Sequence, residues 1–135
     1  MSITGILSVD YGVNDVEVCA RFYRDFGLKE IFSGPHGSDF SLPDGSSVRL
    51  RRADDHSLPT PFEDAPGIRQ VTWAVDSKES LRKLSTSIST DREVALLEND
   101  AISFVDDAGL PTVLQVAQLI PVNSPAGPSQ CAWAC

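Results

Sequence analysis

Alternation is the first pattern along the chain. From Ser8 to Val13, the residues Val9, Tyr11 and Val13 interleave with Ser8, Asp10 and Gly12, a period of two that predicts a half-buried strand. Asn14 follows with Glu17 three residues on, the spacing of a capping box, in which a side-chain oxygen and a carboxylate satisfy the free amides of a helix start. Val16, Cys19, Ala20 and Tyr23 then recur at i, i+3, i+4 and i+7, which predicts an amphipathic helix. Phe22 and Phe26 are expected to widen its apolar stripe, and Gly27 to close it as a left-handed terminator.

The same order returns downstream. Val71, Trp73 and Val75 alternate with Gln70, Thr72 and Ala74; Asp76 and Glu79 stand at the capping positions; Leu81, Leu84 and Ile88 form the next helical stripe. The copies lie about 62 residues apart, too long for a solenoid repeat and suited to a duplicated supersecondary unit. Between and after them the chain predicts strands at 28–33, 39–42, 46–52, 93–98, 101–105 and 111–117. The turns are Gly34-Pro35-His36-Gly37, Pro43-Asp44-Gly45, Asn99-Asp100 and Asp106-Asp107-Ala108-Gly109, rich in residues that break ladders or accept positive φ. The expected organisation is a first βαβββ module over 3–52, a linker over 53–67, a second βαβββ module over 68–118 and a Pro-rich, mobile tail over 119–135. The fold class is α+β: a curved mixed sheet with its helices on the outer face and a concave cleft on the other.

Alternation also assigns the faces. Val9, Tyr11, Val48, Leu50, Val71, Trp73, Leu114 and Val116 belong against the helices, where Tyr11 and Trp73 serve as core. Ser8, Asp10, Arg49, Arg51, Gln70, Thr72, Val113 and Gln115 form the opposite face. Such a face is either solvated, with Asp10 paired to Arg49 or Arg51 for structure alone, or it lines a ligand cleft. In a cleft, two arginines favour a carboxylate, phosphate or phenolate, because guanidinium presents forked donors to planar anions. Asp10 beside two arginines is expected to have a lowered pKa and to be a poor base at neutral pH.

Composition narrows the partners. The 135 residues carry 41% hydrophobic and 22% charged side chains and a formal net charge of −8 with 11 Lys+Arg, which argues against nucleic acid. No apolar run approaches the ~20 residues of a membrane span, and the first ten residues lack the basic region of a signal peptide. Of the three cysteines, Cys19 reads as a buried small hydrophobe, and Cys131 and Cys135 as incidental thiols in the tail. A cytoplasmic location is the expectation.

The paired βαβββ order, the segment VNDVEVCARFYRDFGL (Val13 to Leu28) and the segment DDAGLPTVLQV (Asp106 to Val116) resemble the vicinal oxygen chelate superfamily. That superfamily includes glyoxalases, bleomycin-resistance proteins and type I extradiol dioxygenases. In its metal-using members a His or Glu stands on the first and last strands of each unit, and the resemblance puts those positions on Ser8, Arg49, Gln70 and Val113. Arg and Val do not ligate a divalent cation, and Ser and Gln are weak neutral donors beside imidazole or carboxylate. His36 and His56 fall in loops. No metal or other cofactor is therefore expected; iron or manganese would enter only if other ligands serve.

The chain is similar above all to the metal-free N-terminal module of an extradiol dioxygenase. The resemblance implies a domain that binds, or helps to shape a site for, a small aromatic or anionic molecule. Two alternatives stay open: a ring-cleaving dioxygenase or lyase with ligands not identified, and a structural module that dimerises or docks a second module. No catalytic residue is assigned.

Overall fold

The structure, a computed structural model, describes residues 2–59 and 66–121. Residues 60–65 of the expected linker and 122–135 of the expected tail, with Cys131 and Cys135, lie outside the described residues. In chain order the elements are β1 (Ile3–Val13), α1 (Val16–Phe26), β2 (Lys29–Gly34), β3 (Gly37–Ser41), β4 (Ser47–Arg52), β5 (Gly67–Val75), α2 (Lys78–Ile88), β6 (Ala95–Leu97), β7 (Ala101–Val105) and β8 (Pro111–Val116).

The eight strands form one open, curved sheet in the order β2-β3-β4-β1-β5-β8-β7-β6. β1 runs parallel to β4, β5 runs parallel to β8, and every other neighbour pair is antiparallel. This is a mixed sheet of two βαβββ arrays joined through β1 and β5. Val9 stands opposite Val71 at the join. Exchange about that pair matches Tyr11 with Trp73, Asp10 with Thr72, Arg49 with Val113 and Arg51 with Gln115.

Each array packs its helix on the face that alternation assigned. Around α1 the core is Val13, Ala20, Phe40 and Leu50, with Tyr11, Cys19, Tyr23 and Val48 against it. Around α2 it is Val75, Leu81, Ile102 and Leu114, with Trp73, Leu84, Ile88 and Val116 against it. Phe40 and Ile102 are almost fully buried, and truncating a core phenylalanine costs about 3–5 kcal/mol.

Three local expectations are corrected. Asp15, not Asn14, caps α1, accepting from the Val18 amide at 3.1 Å. Ser77, not Asp76, caps α2, accepting from the Ser80 amide at 3.1 Å. The Asp76 amide is drawn away instead to the Ser2 carbonyl, which prolongs the β1–β5 pairing. Phe22 and Phe26 do not widen the buried stripe: they are 60% and 59% exposed. At about 100° per residue, they lie far around the helix from Ala20, the centre of the buried face.

β1 begins five residues before its predicted start. Its early part pairs with β5 through register shifts at Ile3/Gly5 and Ile6/Ser8, and such bulges erase strict alternation from the sequence. Gly27 closes α1 as expected at φ 110°, its amide donating to Tyr23 and Arg24 carbonyls.

Candidate functional site

Two rows of side chains cross the face opposite the helices. One runs Asp39, Arg49, Asp10, Gln70, Pro111 and Val105 over β3, β4, β1, β5, β8 and β7; the other runs Ser41, Ser47, Ser8, Thr72, Val113 and Ser103. The rows follow from the register, since residues paired across strands share a face. The first array carries charge and the second does not: Asp10, Arg49, Arg51 and Asp39 match Thr72, Val113, Gln115 and Ser103.

The structure gathers Asp10, Arg49 and Gln70. Arg49 Nη1 lies 3.8 Å from Asp10 Oδ2, and Arg49 Nε lies 3.9 Å from Asp39 Oδ1. Gln70 Nε2 donates a long hydrogen bond of 3.5 Å to Asp10 Oδ2. Arg51 is not free to join them. Its guanidinium donates to both Asp39 oxygens, at 2.7 and 3.4 Å, and to the Leu50 carbonyl at 2.8 Å. It also lies 6.0 Å from the centre of the Phe32 ring, a cation–π distance. Ser8, Thr72 and Val113 sit together in the second row, with Thr72 and Val113 buried. Gln115 pairs with Ala74 and Ala101 farther along the sheet, outside the charged cluster.

The expected lowering of the Asp10 pKa is corrected: it is raised. Burial outweighs the attraction of Arg49 and Arg51, and Asp39 adds to the upward push. The side chain is 10% exposed, and its Oδ1 is buried without a hydrogen-bond partner among the described residues. Arg51 helps little because its charge is already spent on Asp39, and Arg49 stands beyond hydrogen-bond distance.

Two residues that alternation did not single out belong to the picture. Asp39 directs both arginines, and its alternation with Phe40 inside a short strand was the available signal. Arg69 is buried, donating at 2.9 Å to the Ala53 carbonyl and at 2.9 Å to the Pro59 carbonyl. It ties the segment after β4 to the start of β5, a role with no sequence pattern.

Beyond Gln70 the first row enters an open groove of about 1090 Å³. Gln70, Ser103, Val105 and Pro111 line it from this face, Phe104 and Thr112 from the other side of the same strands, and Arg92 and Glu93 from the segment after α2. Arg92 is held by the Val105 carbonyl and the Asp107 carboxylate. At about 4.8 Å per strand, Arg49 and Pro111 stand about 14 Å apart on one face.

Solved structures with this fold include the Mn(II)-bound glyoxalase from Novosphingobium aromaticivorans (TM-score 0.68, 24% identity, 93% of this chain and 44% of that one). An extradiol ring-cleaving dioxygenase from B. fuscum matches with TM-score 0.68 and 13% identity over 88% of this chain and 34% of its own. BphC, a halotolerant catechol dioxygenase, matches with TM-score 0.69 and 14% identity over 90% of this chain and 42% of its own. No protein-family model and no curated protein sequence matches the chain. The chain thus shares the fold of these glyoxalase and extradiol dioxygenase structures and spans less than half the length of each of the three.

A divalent metal does not fit the residues at the positions the resemblance points to. Ser8, Arg49, Gln70 and Val113 offer two neutral oxygens, a cation and a hydrocarbon, a set without an anionic or imidazole donor. The nearest carboxylates, Asp10 and Asp39, both face the Arg49 guanidinium, so a fixed positive charge already stands between them. Among the described residues no cluster of three His, Cys, Asp or Glu could hold a metal ion.

Proposed function

We propose that the concave face binds a small organic anion with an aromatic or apolar body. The anionic oxygen rests on Arg49, and the body extends past Gln70 into the groove of Val105 and Pro111. The observation that carries this reading is the unequal state of the two arginines. Arg51 is 14% exposed and held by Asp39, whereas Arg49 is 44% exposed with both its carboxylates at 3.8 Å or more. A guanidinium in that state has forked donors to offer a carboxylate or phenolate. The span from Arg49 to Pro111 suits one or two rings, such as an arylalkanoic or biaryl acid. In a larger assembly this face would shape a site together with a second module.

Calorimetric titration and thermal shift with phenylacetate, phenylbutyrate and their uncharged amides test the proposal. The acids should bind and raise the melting temperature, since a ligand selective for the folded state stabilises it; the amides should not. Arg49→Gln should abolish the response. An Arg49→Gln protein that responds like wild type, or a wild type indifferent to every acid at millimolar concentration, sinks the reading.

A catalytic version rests on one observation, the raised pKa of Asp10 beside a cation with open donors. A carboxyl so placed carries a proton at higher pH than usual while Arg49 polarises an oxyanion. Turnover of a bound acid should then vanish in Asp10→Asn while binding persists; turnover that survives the substitution excludes it.

A further inference from the structure

A second hollow, of about 340 Å³, lies between α2 and the β6–β7 hairpin. Leu81 and Ile102, 8% and 2% exposed, form its floor, and Leu96 and Leu97 wall it from the edge strand. Arg82 and Ser85 line it from the helix. None of these residues belongs to the cluster of Asp10, Arg49 and Gln70.

The duplication explains why this seam is open. Asp15 and Ser77 cap two helices of 11 residues each, so Ser85 of α2 stands where α1 has Tyr23. The Tyr23 ring fills its own seam, with centroids 5.8 Å from Phe40 and 6.5 Å from Tyr11. A serine leaves that volume unfilled, in a fold whose other seam is close-packed.

We infer that this cleft binds a medium-chain aliphatic carboxylate, its chain on Leu81 and Ile102 and its carboxylate on Arg82. Shape selects the body. The described lining has no aromatic side chain to stack on a ring. From Lys78 to Thr86 the lining follows α2 for eight residues, about 12 Å at about 1.5 Å per residue. At about 1.5 Å per bond, shortened by the zigzag, that length takes a chain of about eight to ten carbons. The volume falls at the lower end of small-molecule sites, which run from about 300 to 1,000 Å³.

Charge selects the head. Lys78 is held by Asp100 and Lys83 by Glu79, each at 3.5 Å. Arg82 is exposed and makes no ion pair among the described residues. Glu79, the carboxylate three residues back on its own helix, is the one that Lys83 holds. A guanidinium at the mouth of an apolar hollow keeps its forked donors for a ligand carboxylate.

Calorimetric titration of the full chain with octanoate, hexanoate and octanol decides. It is run on wild type and on Arg49→Gln, in which the concave face has lost its open cation. Octanoate should bind both proteins, and hexanoate should bind about fourfold more weakly per methylene removed. Arg82→Gln should weaken octanoate by about tenfold, to the level of octanol. Ser85→Tyr, which restores the residue of α1, should abolish binding with the melting temperature held or raised; if it melts early instead, Arg82→Gln alone decides. A wild type indifferent to octanoate at millimolar concentration overturns the inference. So does octanoate binding that Arg49→Gln abolishes, binding that Arg82→Gln or a folded Ser85→Tyr leaves at full strength, or octanol binding as tight as octanoate.

Discussion

Asp39 stands opposite Arg49 in the β3–β4 ladder, yet its hydrogen bonds go diagonally to Arg51, at 2.7 and 3.4 Å. The diagonal choice leaves Arg49 at 3.9 Å and holds Arg51 at 14% exposure. Asp39→Ala should therefore destabilise the fold by about 2 kcal/mol, because it strands a mostly buried guanidinium. It should also loosen Arg51 from Phe32. Chemical denaturation measures the first effect, and a change in anion affinity reports the second. A loss below about 0.5 kcal/mol would mean the pair is a solvated surface contact.

Asp10 makes a pH prediction whose sign follows from its raised pKa. The unfolded chain gives up this proton near the ordinary value of 3.8, and the folded chain only at a higher pH. Stability therefore falls as pH rises from 3.8 toward the folded value and is level beyond it. Asp10→Asn has no such step, so its urea midpoint should gain on wild type through that window. Asp44 and Asp55 act below it: hydrogen bonds from Ser46 and Ser57 lower their pKa values. Their contribution is complete above 3.8 and is lost as pH falls through the lowered values. Parallel midpoint curves for wild type and Asp10→Asn across the window would refute the assignment.

Gly37 should not tolerate a side chain. It pairs with Arg51 inside the sheet, and a Cβ there would collide with the Leu50 carbonyl oxygen and lie 2.6 Å from Arg51 Nη1. Because one obstacle is backbone, relief requires the β3–β4 ladder to shift. Gly37→Ala is expected to cost about 2–3 kcal/mol by thermal denaturation. At Gly45, where a Cβ meets no atom within 4 Å, only the strain of φ 90° opposes substitution. Gly45→Asn should cost less than Gly37→Ala.

Helix caps offer a clean comparison of neighbours. Asp15→Ala and Ser77→Ala should each cost about 1 kcal/mol, the typical loss for a cap. Asn14→Ala, one residue earlier, should stay within about 0.5 kcal/mol. Equal effects at positions 14 and 15 would return the cap to Asn14.

The displaced caps show where local pattern stops being informative. Asn14 and Asp76 satisfied the spacing rule as well as Asp15 and Ser77 did. The choice depended on where the preceding strands let go, and the Asp76 amide was held by Ser2, 74 residues earlier in the chain. Gly37 likewise reads as part of a turn. Its place inside β3 follows from the close approach of Leu50 and Arg51, which no neighbouring residue announces.

Periodicity within the chain was enough to determine the duplicated βαβββ order, the helix-facing roles of Tyr11, Leu50, Trp73 and Leu114, and the polarity of the opposite face. Each of these is a property of residues two to four apart, the range over which strand and helix geometry repeats. Tertiary structure alone decided which polar residues meet. It aligned Arg49 with Asp10 and Gln70, gave Arg51 to Asp39, and buried Asp10 deeply enough for desolvation to outweigh two arginines. Strand register and solvent exclusion set these outcomes, and both arise only when segments far apart in sequence come together.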